Sequence, residues 1–176
     1  LSSAWPSSLQ DKSLQFVQYA HNGWGRDRSK IYSVWQEINT EGSSKISLSA
    51  TAANYLNSSS LTSNSDIKIG ITNVDPSVHN PDALDNASTG SAAYSPMNNV
   101  PWLVTSTGGT GYLQWENIPS NNLTGSTKEF DEDEYIDVSA YDKIYIVITS
   151  VIYFNMNAAT YDASIYGLSV VDNIVI

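Results

Sequence analysis

Hydrophobic residues recur at every second position along this chain, and the helical period is almost absent. Between Lys45 and Ala52, the residues Ile46, Leu48, Ala50 and Ala52 alternate with Lys45, Ser47, Ser49 and Thr51. Between Asp66 and Thr72, Ile67, Ile69 and Ile71 alternate with Asp66, Lys68, Gly70 and Thr72. Successive side chains of a strand point to opposite faces, so both segments predict strands with one face in a core and the other in water. Lys143 to Phe154 is apolar or aromatic at both parities. It predicts a central strand, with Ile144, Ile146, Ile148 and Ile152 inward and Tyr145, Val147 and Tyr153 on the other side. The chain closes on a strand in which Tyr166, Leu168, Val170, Ile174 and Ile176 share a face. Asp172 falls on that same face and predicts a bulge or an exposed end at Asp172-Asn173.

Less regular strands are predicted at Leu14 to Ala20, Ile31 to Ile38, Trp102 to Ser106, Tyr112 to Ile118 and Tyr135 to Val138. A short helix over Ala50 to Leu61 is the main helical alternative, and its Thr content and Ser-Asn tail weaken it. With about nine short strands separated by Ser, Asn, Gly and Pro clusters, the pattern is that of an all-β, antiparallel β-sandwich, jelly-roll-like, in a single domain over residues 1–176. Asn73 to Pro101 carries four of the six prolines and almost no periodicity. A loop of that length in a compact domain is usually functional or disordered.

Composition agrees with this reading. The chain of 176 residues contains 27 Ser, 12 Thr and 16 Asn beside 11 Tyr, 5 Trp and 3 Phe, while charged residues make up 15%. Eight Lys and Arg against eighteen Asp and Glu give a net charge of −10. Phosphate neutralisation needs clustered cations, and only Arg26, Arg28 and Lys30 lie close together, so a nucleic acid or an anionic membrane surface is a poor partner. The longest apolar stretch, Ile144 to Met156, is too short for a membrane-spanning helix. Cysteine is absent, which removes disulfides and thiolate chemistry. The opening Leu-Ser-Ser-Ala-Trp has neither an initiator Met nor a signal-peptide pattern and reads as part of a longer protein.

Enzymatic chemistry finds little support. His21 and His79 are the only candidate imidazole bases, and there is no Gly-x-Ser-x-Gly elbow. Gly108-Gly109-Thr110-Gly111 lacks the Lys-Ser/Thr of a phosphate loop and predicts a hairpin turn. Glu37 and Glu116 could form a glycosidase carboxylate pair if both faced one groove, but solvated surface residues are the commoner outcome for such glutamates. The run Asp131-Glu132-Asp133-Glu134 offers hard oxygen ligands, so Asp131 and Asp133 are candidate ligands of a structural calcium, and no other cofactor is indicated. A solvated loop is the plainer reading of such a run. The aromatic residues carry more information. Sugar rings stack their C–H faces on Trp and Tyr, while their hydroxyls need polar groups at the rim. Gly23-Trp24-Gly25-Arg26-Asp27 places a Trp between glycines with Arg and Asp beside it. Trp35 shares a strand face with Ser33 and Glu37, opposite Tyr32, Val34 and Ile38. Tyr112, Gln114 and Glu116 share another, opposite Leu113 and Trp115. Tyr94 and Trp102 bracket the end of the long loop. The candidate saccharide contacts are therefore Trp24, Arg26, Asp27, Trp35, Glu37, Tyr94, Tyr112 and Gln114, although most Trp in a small sandwich serve the core.

The closing Val170-Val171-Asp172-Asn173-Ile174-Val175-Ile176, the strand Lys45-Ile46-Ser47-Leu48-Ser49-Ala50 and the strand Tyr112-Leu113-Gln114-Trp115 resemble elements of jelly-roll carbohydrate-binding modules. The cysteine-free, Ser/Asn/Tyr-rich texture is similar to the modules carried by tail and baseplate proteins of phages that infect lactic acid bacteria. Examples are the lactococcal baseplate accessory proteins and the insertions of distal tail proteins. The resemblance implies binding of host cell-wall or surface polysaccharide without catalysis, on a virion tail, baseplate or other extracellular surface, within a parent assembly. It carries no family site residue onto this chain. The second expectation is a structural module that docks to another virion or surface protein through the Tyr145, Val147 and Tyr153 face. A glycoside hydrolase is the third.

Overall fold

The computed structural model describes residues 13–19, 28–56, 63–76, 100–117, 125–154 and 166–176. These residues form ten strands and no helix. The strands are β1 (Leu14–Tyr19), β2 (Arg28–Asn39), β3 (Lys45–Ile46), β4 (Ser49–Leu56), β5 (Ser63–Thr72), β6 (Tyr112–Asn117), β7 (Ser126–Glu129), β8 (Ile136–Asp137), β9 (Lys143–Phe154) and β10 (Tyr166–Val175). Eight of them make two four-stranded antiparallel sheets, ordered β1-β10-β4-β7 and β2-β9-β5-β6, and β3 pairs with β8 alone. The hydrogen-bonded pairs are nested along the chain: β1 with β10, β2 with β9, β4 with β7 and β5 with β6. The all-β, antiparallel sandwich expected from the period-two pattern is the architecture found.

The inward parities fill the space between the sheets. Ile67, Ile69 and Ile71 of β5 are fully buried, and they pack with Ile144, Ile146 and Ile148 of β9, Leu113 and Trp115 of β6, and Ala50 and Ala52 of β4. Each fully buried Ile stabilises the fold by about 1.5–3 kcal/mol relative to exposure. One end of this interior is polar. The Ser150 hydroxyl of β9 donates to Ser169 Oγ of β10 at 2.8 Å, and Ser169 Oγ donates to Asn54 Oδ1 of β4 at 2.9 Å. Asn54 Nδ2 then donates to the Trp115 carbonyl of β6 at 3.0 Å, so the relay crosses between the sheets twice.

Several elements differ from the expectations. The alternating run from Lys45 breaks into two strands. β3 leaves to pair with β8, while Leu48 stays inward and its carbonyl accepts the Phe130 N–H at 3.0 Å. The helical alternative at Ala50 is overturned, because β4 runs extended between β10 and β7. Trp102 to Ser106 is not a strand but a set of isolated bridges, from Trp102 to Thr72, Val104 to Thr110 and Thr105 to Ile136. The hairpin expected at Gly108 is present: the Thr105 N–H donates to the Gly109 carbonyl at 3.0 Å, and Gly108 takes φ +82°. β7 was not predicted, since Ser126-Thr127-Lys128-Glu129 is wholly polar and exposed. The closing strand carries its expected bulge. The register against β4 shifts between Asp172 and Val175, and Asn173 adopts φ 49°, a left-handed conformation that Asn tolerates. The shared face assumed for that strand is corrected with it. Leu168 and Val170 join Ala53 in a separate cluster with Tyr55, whereas Val171 and Ile174 pack into the main core.

Candidate functional site

Registers across the β2-β9-β5-β6 sheet bring the polar and aromatic parities of four strands onto its outer face. One row runs Trp35, Val147, Gly70, Tyr112 from β2 to β6. The next row is Ser33, Thr149, Lys68, Gln114. Glu37, Tyr145 and Thr72 lie on the far side of the aromatic row. Trp35, Glu37, Tyr112 and Gln114, which lie on separate sequence segments, therefore share one face of one sheet. They sit at its two edges, three strand spacings or ~14 Å apart. Trp24, Arg26, Asp27 and Tyr94 lie outside the described residues.

At the β2 edge, Trp35 is 41% exposed, although Val147 directly across on β9 is buried at 1%. Glu37 follows two residues on, ~7 Å along the same face. Its Oε1 lies 2.7 Å from Lys143 Nζ, and the Tyr145 hydroxyl donates to its Oε2 at 3.3 Å. The hydrogen bond from Lys143 holds the Glu37 carboxyl below its ordinary range, and the same bond raises Lys143. Desolvation raises Tyr145, and the Asp75 charge acts on all three groups. All of these polar groups remain in contact with water, so the pair is worth little to stability.

At the β6 edge, Gln114 Nε2 donates to both carboxylate oxygens of Asp66, at 3.1 and 2.9 Å, and to Glu116 Oε1 at 3.1 Å. Three acceptor contacts share two hydrogens. Burial raises the Asp66 carboxyl above its ordinary value, partly offset by Gln114. Lys68 was expected in water but is 5% exposed, with Nζ 4.8 Å from the Tyr112 ring centroid, a cation–π distance. Trp102 lies 5.4 Å from Tyr112, tilted by 52°. It lies over Gly70, where an added Cβ would meet Tyr112 Cβ at 2.5 Å and Trp102 Cε3 at 2.8 Å. Leu113 and Trp115, on the opposite parity, are buried as expected.

Sequence reasoning did not bring Asp66, Lys68 or Lys143 to this face, and it assigned Tyr145 to a docking patch instead. Their strands were legible, but only cross-strand register joins them to Trp35 and Tyr112. The face also limits two other expectations. Val147 is buried and Tyr145 half-buried, so they do not form an exposed apolar docking patch; the Tyr153 side chain lies outside the described residues. Glu37 and Glu116 occupy opposite corners of the sheet. Register places them ~14 Å apart across the strands and ~20 Å along them, well beyond the ~5–10 Å of a glycosidase pair.

Asp131 and Asp133 are exposed in a turn, where the Glu134 N–H donates to the Asp131 carbonyl at 2.8 Å. Glu134 itself accepts from Thr105 Oγ1 at 2.6 Å and Thr107 Oγ1 at 2.8 Å, which lowers its carboxyl. Among the described residues no three His, Cys, Asp or Glu side chains converge on a metal position. A cleft at the β2 edge is lined by Val34, Trp35, Gln36, Ile146, Ile148, Ile174 and Ile176. No family model and no curated protein matches the chain by sequence.

Proposed function

We propose that this protein is a non-catalytic carbohydrate-binding module that uses the β2 edge of the β2-β9-β5-β6 sheet, around Trp35, to hold a host cell-wall or surface polysaccharide. The observation that carries the reading is Trp35. It is a large aromatic side chain left 41% exposed on a sheet face, beside a carboxylate, an ammonium and a phenol. An exposed indole forgoes the burial that stabilises most Trp residues, and a stacked sugar ring restores it. The nested pairing of β1 with β10, β2 with β9, β4 with β7 and β5 with β6 supports a jelly-roll wrapping of the chain. The similarity of the cysteine-free, Ser/Asn/Tyr-rich texture to phage tail and baseplate modules supports a place on an adhesion device, where many copies turn weak single sites into firm attachment.

The test is retention on purified cell-wall polysaccharide with the protein displayed multivalently on beads. Trp35→Ala is expected to lose retention at least tenfold while its melting temperature stays within a few degrees of wild type. Unchanged retention removes Trp35 from the site. A collapse of stability gives Trp35 a packing role instead.

A further inference from the structure

We infer that the saccharide held at Trp35 carries an apolar substituent, an O-acyl or O-alkyl group, which enters the cleft at the β2 edge. The inference rests on the carbohydrate-binding reading above and adds the chemical class of the ligand. Successive side chains of a strand point to opposite sides, so Val34 and Gln36 turn away from the face that bears the Trp35 indole. Register sets Val34 opposite Ile148 and Gln36 opposite Ile146 of β9. These two cross-strand pairs line the cleft together with Trp35, Ile174 and Ile176. The described pairing of β1 with β10 runs from Tyr166 to Val171, and Ile174 and Ile176 lie beyond it, at the register shift that ends β10. The cleft has a volume of about 290 Å³, and five of its seven lining residues are Val or Ile.

Burial along β9 and its neighbours marks where the cleft opens. Ile144 is fully buried and Ile146 and Ile148 less completely so, while Val34 keeps 37% and Ile176 48% exposure. Apolar surface left in water favours a ligand group that covers it, in proportion to the apolar area removed from solvent. A bare sugar ring does this poorly, because hydroxyls placed against Val and Ile lose water without gaining a partner. A short hydrocarbon chain has the right chemistry and size for such a space. Gln36 adds an amide N–H donor suited to an ester carbonyl. Trp35 belongs both to the cleft and to the face that carries Glu37, so one ligand engages the two together. Its ring stacks on the indole and its substituent fills the space beside it.

The experiment titrates the intact chain with butyl, hexyl and octyl glycosides of glucose, galactose and N-acetylglucosamine, each below its micelle concentration, and with an octyl tetraethylene glycol ether that has no sugar. With at least one sugar, affinity is expected to rise about fourfold per added methylene, the gain for one buried CH₂, and the sugar-free ether to bind at least tenfold more weakly than the octyl glycoside. Val34→Ser and Ile176→Ser change exposed lining residues. Both are expected to shrink the gain per methylene to about twofold, with melting and retention on cell-wall polysaccharide as in wild type. Affinity independent of chain length for all three sugars, with the polysaccharide still retained, overturns the inference and leaves the carbohydrate reading standing. A chain-length dependence unchanged in both variants overturns the assignment to this cleft. Equal binding of the sugar-free ether overturns the coupling of the cleft to the sugar. If neither the glycosides nor the polysaccharide bind, the carbohydrate reading fails and the inference with it.

Discussion

Asp66 shows how one side chain can work against the strand that holds it. Its carboxyl is raised by burial first, with Glu116 adding repulsion and Gln114 and Lys68 opposing both. A group whose folded-state pKa lies above its unfolded value costs stability while ionised, and the cost fades as pH falls through the folded value toward the unfolded one. Asp66→Asn is therefore expected to melt higher than wild type at neutral pH, and the gap should close on acidification through the range just above the ordinary aspartate value. Melting curves of both proteins across that range would show it. A gap that is constant with pH would place the effect in packing rather than in charge. Glu37, Glu134 and Asp137 run the other way, since hydrogen bonds lower all three. Their small contributions are present at neutral pH and are lost in acid, and all three are solvent-exposed enough that Asp66 dominates the comparison.

At the scale of the element, β5 carries the part of the outer face that lies beside Tyr112 and under Trp102. Its even-numbered face holds Asp66, Lys68, Gly70 and Thr72, and its odd-numbered face holds the buried Ile67, Ile69 and Ile71. Gly70 is required by the crossing of Trp102 and by the neighbouring Gly111 carbonyl, at 2.6 Å from an added Cβ. The segment bearing Trp102 is fastened to the end of β5. The Leu103 N–H donates to the Ile71 carbonyl at 2.9 Å, and the Thr72 hydroxyl donates to the Pro101 carbonyl at 2.8 Å. Gly70→Ala forces backbone and ring apart together and is expected to cost about 1–3 kcal/mol, the usual range for overpacking. Chemical denaturation measures the cost. Full stability in that variant would mean that Trp102 moves aside freely and is not fixed over the strand.

In the whole molecule, the two sheets are joined by the shared apolar interior and, at one end, by the Ser150–Ser169–Asn54–Trp115 relay. Ser150 and Ser169 are both fully buried. Removing one hydroxyl leaves its buried partner unsatisfied, so Ser169→Ala is expected to cost about 1–3 kcal/mol. Adding Ser150→Ala should cost less than its single-mutant effect, because the orphaned donor leaves with it. Additive losses in that double-mutant cycle would show that the bond between them contributes no coupling. The period-two pattern was enough to read the all-β class, the central position of β9, the inward isoleucines and the bulge at Asp172-Asn173, because burial on one face of a strand is written directly into alternation. It could not reveal β7, whose four polar residues are a strand only through pairing with β4, nor the departure of β3 to β8. Nor could it place Lys68 out of water. Trp35 and Glu37 were legible as one face of one strand, since residues two apart share a side. Their meeting with Lys143 and Tyr145, and the separation of Glu37 from Glu116, were decided only by strand order and register. Alternation says which side of its own strand a residue faces, whereas the identity of the neighbouring strand is set by long-range pairing that no local pattern encodes.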